Sequence, residues 1–456
     1  MPSILELPED ILLELTKDLD IADLISLLST CRVIRKVQFQ KSLWLDSLAR
    51  IREVERQPHA LSNAQALSTL SLQQLQHTAQ QVNRFMKNWR SHNPRPTRIR
   101  QLSVEPSHGF FCLTGTPFIV SHNEGGMSCW DIFDGKRVAH LEIPGLFVRT
   151  KVPCMEEVGR ALICAATGIG RSVERLVAIC IDYRDGARVS ISHVVSPVVN
   201  EQFRGTFFIS RQAAGFSGHG YIITWTMNPN ANVVKQTHQI SRYLYLSYFP
   251  LDQSIYIFSR KCDIGADASV HCLPLFPRPS DLGAPPNSMT TTVIPTRYSF
   301  ASNQREIDNM IGSHEAHVCP PRYGVFAVTR RSFEWEGSPI SVIHFWQGGM
   351  AEGDTALSPG NSYYHEQRDH IKLWAVGHSG TYVLLLVDAA SSNDGAAYLG
   401  LVHFSSTPTP HTTFRKLDIG DAVTRLGSVS RMALDDALGT IFLLDEEGNM
   451  SVISFA

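Results

Sequence analysis

The pattern of apolar and polar positions changes once along the chain, near residue 94. Before that point Gly is absent, and apolar residues recur every three or four positions as they do in amphipathic helices. After it, short runs of β-branched and aromatic residues alternate with turns of Gly, Asn, Asp and Pro. Pro94 and Pro96 stand at the change and are expected to end the last helix. The pattern therefore predicts an all-α head followed by an all-β body.

Several short helices are predicted in the head. Pro8 suits the first position of a helix, and the acidic Glu9 and Asp10 suit the positive end of its dipole. Asp20 is expected to cap the helix that follows. A module this small buries little apolar surface within itself, so we expect a partner surface to cover part of it.

A longer amphipathic helix is predicted between the head and the body. Its apolar positions run from Leu72 to Trp89 at three- and four-residue spacing, and it stops just before the prolines. Such a helix would connect the two parts and fix their relative orientation. The predicted domains are a helical module over residues 1–56, a linker helix region over 57–96 and a β domain over 97–456.

One unit repeats in loose form along the β domain: a strand, a Gly or Asn/Asp turn, and a second strand with an aromatic residue near its end. The clearest copy is 118–143. Further copies follow at roughly 40–50 residues, which is the spacing of propeller blades. The repeat predicts a β-propeller of about seven blades, with a pair of two-sheet sandwiches as the alternative. The tract 274–321 is rich in Pro and is predicted to be a long loop that leaves one blade.

Composition and charge narrow the function classes. The chain has 456 residues and a formal net charge of −2, without a run of Lys and Arg, which argues against nucleic-acid binding. Its nine cysteines form no C-x-x-C pair, and neither a signal peptide nor a long apolar span is apparent. We expect free thiols, no membrane contact and a location in the cytoplasm, the nucleus or both.

An ordered set of features lies between Leu7 and Leu48. These features are the opening Leu7-Pro8-Glu9, the stripe Leu12, Leu15 and Leu19, the pair Asp23-Leu24, the pair Cys31-Arg32 and the pair Leu43-Trp44. Taken together in this order, they closely resemble the F-box family. The linker helix and the β domain after it also look like the F-box propeller proteins of fungi.

The resemblance implies a function. An F-box binds the Skp-type adaptor of a cullin ubiquitin ligase, while a second domain recruits the protein to be ubiquitinated. The chain is thus expected to be a substrate-recognition adaptor of an SCF-type E3 ligase, without cofactor or metal. The resemblance does not identify its substrate-binding residues. The residues that the resemblance divides between adaptor contact and the module's own core are Leu7, Pro8, Leu12, Leu15, Leu19, Leu24, Leu27, Leu28, Leu43 and Trp44.

Other candidate chemistry is weak. Trp130-Asp131 resembles the closing dipeptide of a WD-repeat blade but occurs once, so a packing aromatic explains it as well. His365 and His370 are five apart, which suits neither one face of a helix nor one face of a strand. No G-x-S-x-G nucleophile motif is present. We therefore expect no enzyme activity and no metal site.

Two alternatives stay open. The chain could bind the adaptor yet serve as a scaffold outside any ligase. Alternatively, the propeller could bind a small ligand or catalyse a reaction, with the F-box controlling its abundance; acids and histidines lining a central channel would favour this second possibility.

Overall fold

A computed structural model gives the fold of the chain. The residues that it describes are 7–53, 67–105, 107–147, 155–157, 159–168, 172–184, 188–202, 207–209, 213–217, 221–238, 243–251, 254–261, 268–274, 290–292, 296–299, 313–318, 325–335, 338–347, 358–365, 370–388, 397–405, 411–420 and 426–456.

Helices come first along the chain, as predicted. The α-helices are α1 (Glu9–Thr16), α2 (Ile21–Thr30), α3 (Arg32–Arg35), α4 (Lys41–Glu53) and α5 (Leu72–Trp89). Short 3₁₀ turns cover Lys36–Phe39, Leu67–Thr69 and Leu426–Ser428. Asp20 caps α2 as expected, because its Oδ1 accepts a 2.7 Å hydrogen bond from the Asp23 backbone N–H. We call residues 7–53 the head and α5 the linker helix.

Strands make up the rest, and we call them the sheet body. The first half of the body contains β1 (Arg98–Ser103), β2 (Gly109–Cys112), β3 (Phe118–Asn123), β4 (Gly126–Asp131), β5 (Lys136–Glu142), β6 (Leu146–Phe147), β7 (Met155–Glu157), β8 (Arg160–Thr167), β9 (Ser172–Val173), β10 (Arg175–Asp182), β11 (Ser190–Val195), β12 (Glu201–Gln202), β13 (Phe207–Ile209), β14 (Ala213–Ser217), β15 (Tyr221–Thr226) and β16 (Val233–His238). The second half contains β17 (Tyr243–Leu251), β18 (Ser254–Lys261), β19 (Ala268–Pro274), β20 (Thr290–Thr292), β21 (Thr296–Ser299), β22 (Ser313–Val318), β23 (Val325–Trp335), β24 (Ser338–Gln347), β25 (Ser358–His365), β26 (His370–Val376), β27 (Tyr382–Asp388), β28 (Ala397–Ser405), β29 (His411–Lys416), β30 (Val429–Asp435), β31 (Thr440–Asp445) and β32 (Asn449–Ser454).

Most of these strands form antiparallel sheets of neighbours in sequence. Seven sheets of four or five strands are present among the described residues, together with the two-stranded pair β9–β12. The sheets β2-β3-β4-β5, β22-β23-β24-β25 and β26-β27-β28-β29 follow chain order without interruption. We number the sheets in chain order, so the first is β2–β5, the sixth is β26–β29 and the seventh contains β30, β31 and β32. The seventh sheet differs from the others, because β1 joins it from the other end of the sheet body and pairs with β32.

Successive sheets also touch one another. Contacts join β5 to β11, β8 to β13, β13 to β17, β17 to β22, β24 to β26, and β26 to β30. A last contact joins β30 back to β2, the first strand of the first sheet. Each of the seven sheets therefore borders the next one in chain order, and the seventh borders the first.

The tract 274–321 is not one continuous loop, so that prediction is corrected. Strands β20, β21 and β22 fall inside it, and β20 pairs in parallel with β16 while β21 pairs with β19. Threonines fill β20 and a Thr and a Tyr lie in β21, while the prolines of the tract lie outside β20, β21 and β22, in the segments between strands or at the end of β19. The remainder of the tract lies outside the described residues.

The linker helix belongs to the core of both parts. A single apolar cluster extends from the head through Leu75, Val82 and Phe85 of α5 to strands of the sixth and seventh sheets. A capping box starts α5, in which Ser71 and Gln74 exchange side-chain and backbone hydrogen bonds. Because the helix is buried on its apolar side by the sheet body, its direction sets where the head lies.

Candidate functional site: an apolar face on the head

The ten residues that the sequence assigns to the adaptor-binding module divide by burial. Leu12, Leu24, Leu28, Leu43 and Trp44 are buried in the head itself. Leu7, Leu19 and Leu27 are half-buried against the same cluster, while Pro8 and Leu15 are exposed. The buried five hold the module together, so Pro8 and Leu15 are the most accessible members of the set.

Trp44 shows how the head is fixed internally. Its side chain is 3% exposed, and its Nε1–H donates a 2.7 Å hydrogen bond to the backbone carbonyl of Gln38. The same carbonyl accepts a 2.9 Å hydrogen bond from Nε2 of Gln76 on the linker helix. The 3₁₀ turn that carries Gln38 is therefore tied both to α4 and to α5.

Exposed apolar side chains are concentrated in the head. Among the residues whose side chains the structure describes, seven large apolar side chains are exposed, and four of them lie in the head. These four are Ile11, Leu15, Val33 and Phe39, and Phe39 has the largest exposed fraction at 65%. We call these four residues the apolar face.

Local geometry places α1, with Ile11 and Leu15, beside the 3₁₀ turn that carries Phe39, and Val33 lies on the short helix α3 just before that turn. Ile11 and Leu15 are one turn apart on the same side of α1. Gln40, next to Phe39, donates a 2.6 Å hydrogen bond from Nε2 to Oε1 of Glu9 at the start of α1. This bond holds the 3₁₀ turn, with its exposed Phe39, beside the first helix.

Of the apolar face, only Leu15 belongs to the ten residues that the resemblance divides between adaptor contact and the module's own core. A usable signal existed in α1, because Ile11, Leu12, Leu13 and Leu15 cover more of the helix circumference than one buried stripe needs. No comparable signal marks Phe39, whose exposure depends on how the 3₁₀ turn packs.

The sheet body carries a second feature of interest, a pair of adjacent buried carboxylates that we call the acid pair. Asp435 accepts hydrogen bonds from the backbone N–H groups of Gly115, Ala437 and Leu438 at 2.9–3.0 Å. Burial, with the neighbouring Asp436 adding to it, raises the pKa of Asp435 to about 7. Its Gly115 bond joins the turn after β30 to the turn after β2.

Asp436 points to the other neighbouring sheet. It accepts hydrogen bonds from the backbone N–H groups of His378 and Ser379 at 3.0 Å and from the Ser379 hydroxyl. Burial raises the pKa of Asp436 to about 6. The acid pair thus links the hairpin turns of the first, sixth and seventh sheets.

The structure also shows where the other candidate residues from the sequence analysis lie. Trp130 donates from Nε1 to the Ser121 hydroxyl at 3.0 Å within one sheet, which agrees with a packing aromatic. His365 is buried on β25 with Nδ1 3.2 Å from the Tyr363 hydroxyl, whereas His370 is exposed on β26. Across the described part of the chain, no group of three or more His, Cys, Asp and Glu side chains could hold a metal ion.

Comparisons with known proteins give likeness in fold only. No family model matches the chain. No curated protein matches it either.

Among the described helices, none is long and apolar enough to cross a membrane.

Solved structures show a distant similarity. A chain of a mitotic checkpoint complex is 11% identical with a TM-score of 0.41, covering 80% of this chain and 93% of that one. Kluyveromyces lactis Hsv2 is 9% identical with a TM-score of 0.38, covering 73% and 87%. The WD40 domain of SCAP from fission yeast is 8% identical with a TM-score of 0.33, covering 74% and 82%. Similarity at this level says nothing about ligands or partners.

Proposed function

We propose that this chain is a substrate-recognition adaptor of an SCF-type ubiquitin ligase. In this proposal the head is an F-box that binds a Skp-type adaptor, and the sheet body is a seven-bladed propeller that binds a target protein. The observation that carries the first part is the apolar face: a small helical module leaves Ile11, Leu15, Val33 and Phe39 exposed to solvent.

The apolar face suits the centre of a protein interface. Fully burying a side chain of this size contributes ~1.5–3 kcal/mol, and these residues are already about half covered, so each would contribute ~1 kcal/mol. A stable interface buries roughly 800 Å² on each partner, so neighbouring polar residues must complete the contact. Glu9, Asp10 and Lys36 are exposed beside the apolar face and could form such a rim.

The order of the sheets supports the propeller. Seven sheets of four or five strands border one another in chain order, and the seventh also borders the first. The pairing of β1 with β32 joins the two chain segments within a single sheet, which is how propellers close their ring. Propellers serve widely as protein-binding domains, and binding a target protein is the role proposed for the sheet body.

The linker helix would make the adaptor a rigid bridge. Asn88 on α5 donates from Nδ2 to the backbone carbonyls of Arg95 at 2.7 Å and Phe455 at 2.9 Å. Trp89 packs edge-on against Tyr382 with ring centroids 4.7 Å apart. A head held this firmly would present a bound target at a fixed distance from the ligase core, while other subunits perform the chemistry.

The proposal is tested by measuring binding of the intact chain to a purified Skp-type adaptor by isothermal titration calorimetry. The double change Leu15→Glu and Phe39→Glu places two charges in the apolar face without touching the core of the head. We expect at least a 30-fold increase in Kd, or about 2 kcal/mol at ~1.4 kcal/mol per factor of ten.

Phe133→Glu is the matched control, because Phe133 is 55% exposed and lies in the turn between β4 and β5 of the sheet body. It should bind as the parent does. Absence of binding by a parent with native circular dichroism would refute the F-box assignment. Equal loss in both variants would show that the apolar face is not the contact. Co-purification with a cullin then distinguishes a ligase subunit from a scaffold outside any ligase.

A further inference from the structure

A cleft lies where the end of the linker helix meets the outer strand of the sixth sheet. Its volume is about 660 Å³. Six of the residues that line it are Arg90, His92, Asn93, Phe414, Arg415 and Lys416. We call it the basic cleft. It lies on the flank of the sheet body, against β29, and not on the apolar face of the head.

Cationic groups from two elements converge on the basic cleft. Arg90 and His92 follow the last turn of α5, whereas Arg415 and Lys416 lie at the end of β29. Arg415 donates from Nη1 to the Thr413 hydroxyl at 2.9 Å, and the Lys416 ammonium lies 4.5 Å from the ring centroid of Tyr398. These contacts hold the two side chains in place and leave their positive charge without a carboxylate partner in either contact.

None of the described residues that line the cleft is acidic. The acid nearest to it in sequence is Asp418, whose Oδ2 lies 3.4 Å from Nε of Arg95, so its charge is matched by that ion pair. Among the described residues that line the basic cleft, basic side chains therefore outnumber acidic ones, on a protein whose net charge is −2.

The helix end accounts for part of this charge but not for all of it. Cationic side chains are stabilised near the carboxyl end of a helix, which explains Arg90. That explanation does not reach Arg415 and Lys416, which lie on a strand. The field of the cluster extends below the surface, where Arg90 and Arg415 add to the effect of burial in lowering the pKa of His403 to about 3.

The shape and edges of the cleft favour a peptide over a small ion. Its volume far exceeds the ~30 Å³ share of one water-sized particle, and Phe414 gives it an apolar part. β29 pairs with β28 on one side, and among the described strands none pairs with its other edge. An open strand edge offers backbone N–H and C=O groups to an extended chain. Phe414 is already stacked on Tyr363, with centroids 5.4 Å apart, so it is no free platform for a nucleic-acid base.

We propose that the basic cleft binds an extended acidic peptide segment of a partner protein, with carboxylates at Arg415 and Lys416 and backbone hydrogen bonds along the open edge of β29. This deepens the target-binding part of the proposed function by naming a partner class and its place. It does not require the adaptor, and its test uses none, so failure here and failure of the F-box assignment are distinguishable.

Binding at this place would touch the linker helix and the sheet body together. A peptide seated there would contact Arg90, at the carboxyl end of α5, and β29 at once. It would thereby strengthen the junction that positions the head. We expect the thermal midpoint of the intact chain to rise when the peptide is present in excess.

The test measures the fluorescence anisotropy of a fluorescein-labelled decapeptide of alternating Glu and Thr, titrated with the intact chain at about 0.15 M salt, where long-range charge effects are screened. The double change Arg415→Gln and Lys416→Gln should raise Kd at least tenfold. The matched control is Lys136→Gln with Arg137→Gln, which removes the same two charge types from β5, the outer strand of another sheet, and should leave Kd unchanged. Thermal midpoints of both variants check that each is folded.

Three outcomes would overturn the inference. The first is equal loss of affinity in both double variants, which indicates attraction by overall charge. The second is displacement of the peptide by millimolar inorganic phosphate, which indicates an ion site. The third is tighter binding of a single-stranded oligonucleotide of equal length at the same residues. Selective loss in the Arg415 and Lys416 variant, without the second and third results, supports the peptide site.

Discussion

Phe85 of the linker helix lies directly against Gly439 in the turn between β30 and β31. A Cβ added to Gly439 would overlap the Cδ2 atom of the Phe85 ring, and the φ of Gly439 is +62°. The absence of a side chain at this turn lets the helix approach the seventh sheet. Contact between these two residues is thus one of the points that fix the linker helix to the sheet body.

Gly439→Ala should loosen that contact. The left-handed backbone costs an Ala roughly 1–2 kcal/mol, and overpacking against the ring costs typically ~1–3 kcal/mol more. We expect the thermal midpoint to fall by several degrees. Gly420→Ala is the matched control, since Gly420 has a φ of +61° and no atom within 4 Å of the added Cβ. If both variants melt at the same temperature, the Phe85 contact contributes nothing.

Trp44→Ala should unfold the head and leave the sheet body folded. Trp44 is 3% exposed, and removing a buried Trp costs ~3–5 kcal/mol, which is a large part of what so small a module can contribute. Amide hydrogen exchange should show loss of protection in α1 to α4 with unchanged protection in β2 to β5. Leu15→Glu, at a side chain 51% exposed, should keep protection in both regions. Protection retained in α1 to α4 of the Trp44 variant would contradict the expectation.

The acid pair should make stability depend on pH in an unusual direction. Asp435 has a pKa of about 7 in the folded chain, above the ordinary value of 3.8. A raised pKa favours folding at low pH, and that contribution is lost as pH rises from about 4 through about 7. Asp435→Asn cannot ionise, so its midpoint relative to the parent should improve as pH rises across that interval.

Differences between variant and parent are the quantity to measure, because carboxylates elsewhere cancel in them. Thermal midpoints at three pH values between 4.5 and 7.5 are sufficient. The Asn amide would also face the Gly115 N–H, which costs ~1–3 kcal/mol at every pH. A constant difference across the interval would show that Asp435 keeps one protonation state.

Asn88→Ala should release the last strand from the linker helix. The change removes three hydrogen bonds, two donated to the carbonyls of Arg95 and Phe455 and one accepted from the Arg95 N–H. Each contributes ~0.5–1.5 kcal/mol. Amide exchange in β1 and β32 should quicken, while Gln80→Ala, at an exposed position of the same helix, should leave it unchanged.

Local pattern predicted the elements well where one segment decides its own structure. The linker helix was expected from Leu72 to Trp89 and is observed as α5 over that range, because an amphipathic stripe lies within it, a capping residue precedes it and two prolines follow it. The repeat at 118–143 contains β3, β4 and β5, and here too the residues that specify the strands and turns lie within the segment itself. The division of the chain into helices followed by antiparallel sheets is confirmed.

Features that depend on distant residues could not be found this way. Leu12 and Leu15 are alike in sequence, yet one is buried and the other is half exposed, because α1 packs on only one side. The basic cleft joins Arg90 to Lys416, which no local pattern connects. The strands inside the tract 274–321 were missed because its prolines mark the spaces between strands as readily as one long loop.

The pairing of β1 with β32 has a consequence for the order in which the molecule can be completed on the ribosome. Gln101 and Ser451 meet across these strands although 350 positions separate them. The linker helix leaves the exit tunnel early, whereas the Tyr382 and Phe455 rings that pack on Trp89 are translated much later. During that interval the part of its apolar side that packs on the sheet body has no native cover, which exposes the nascent chain to aggregation.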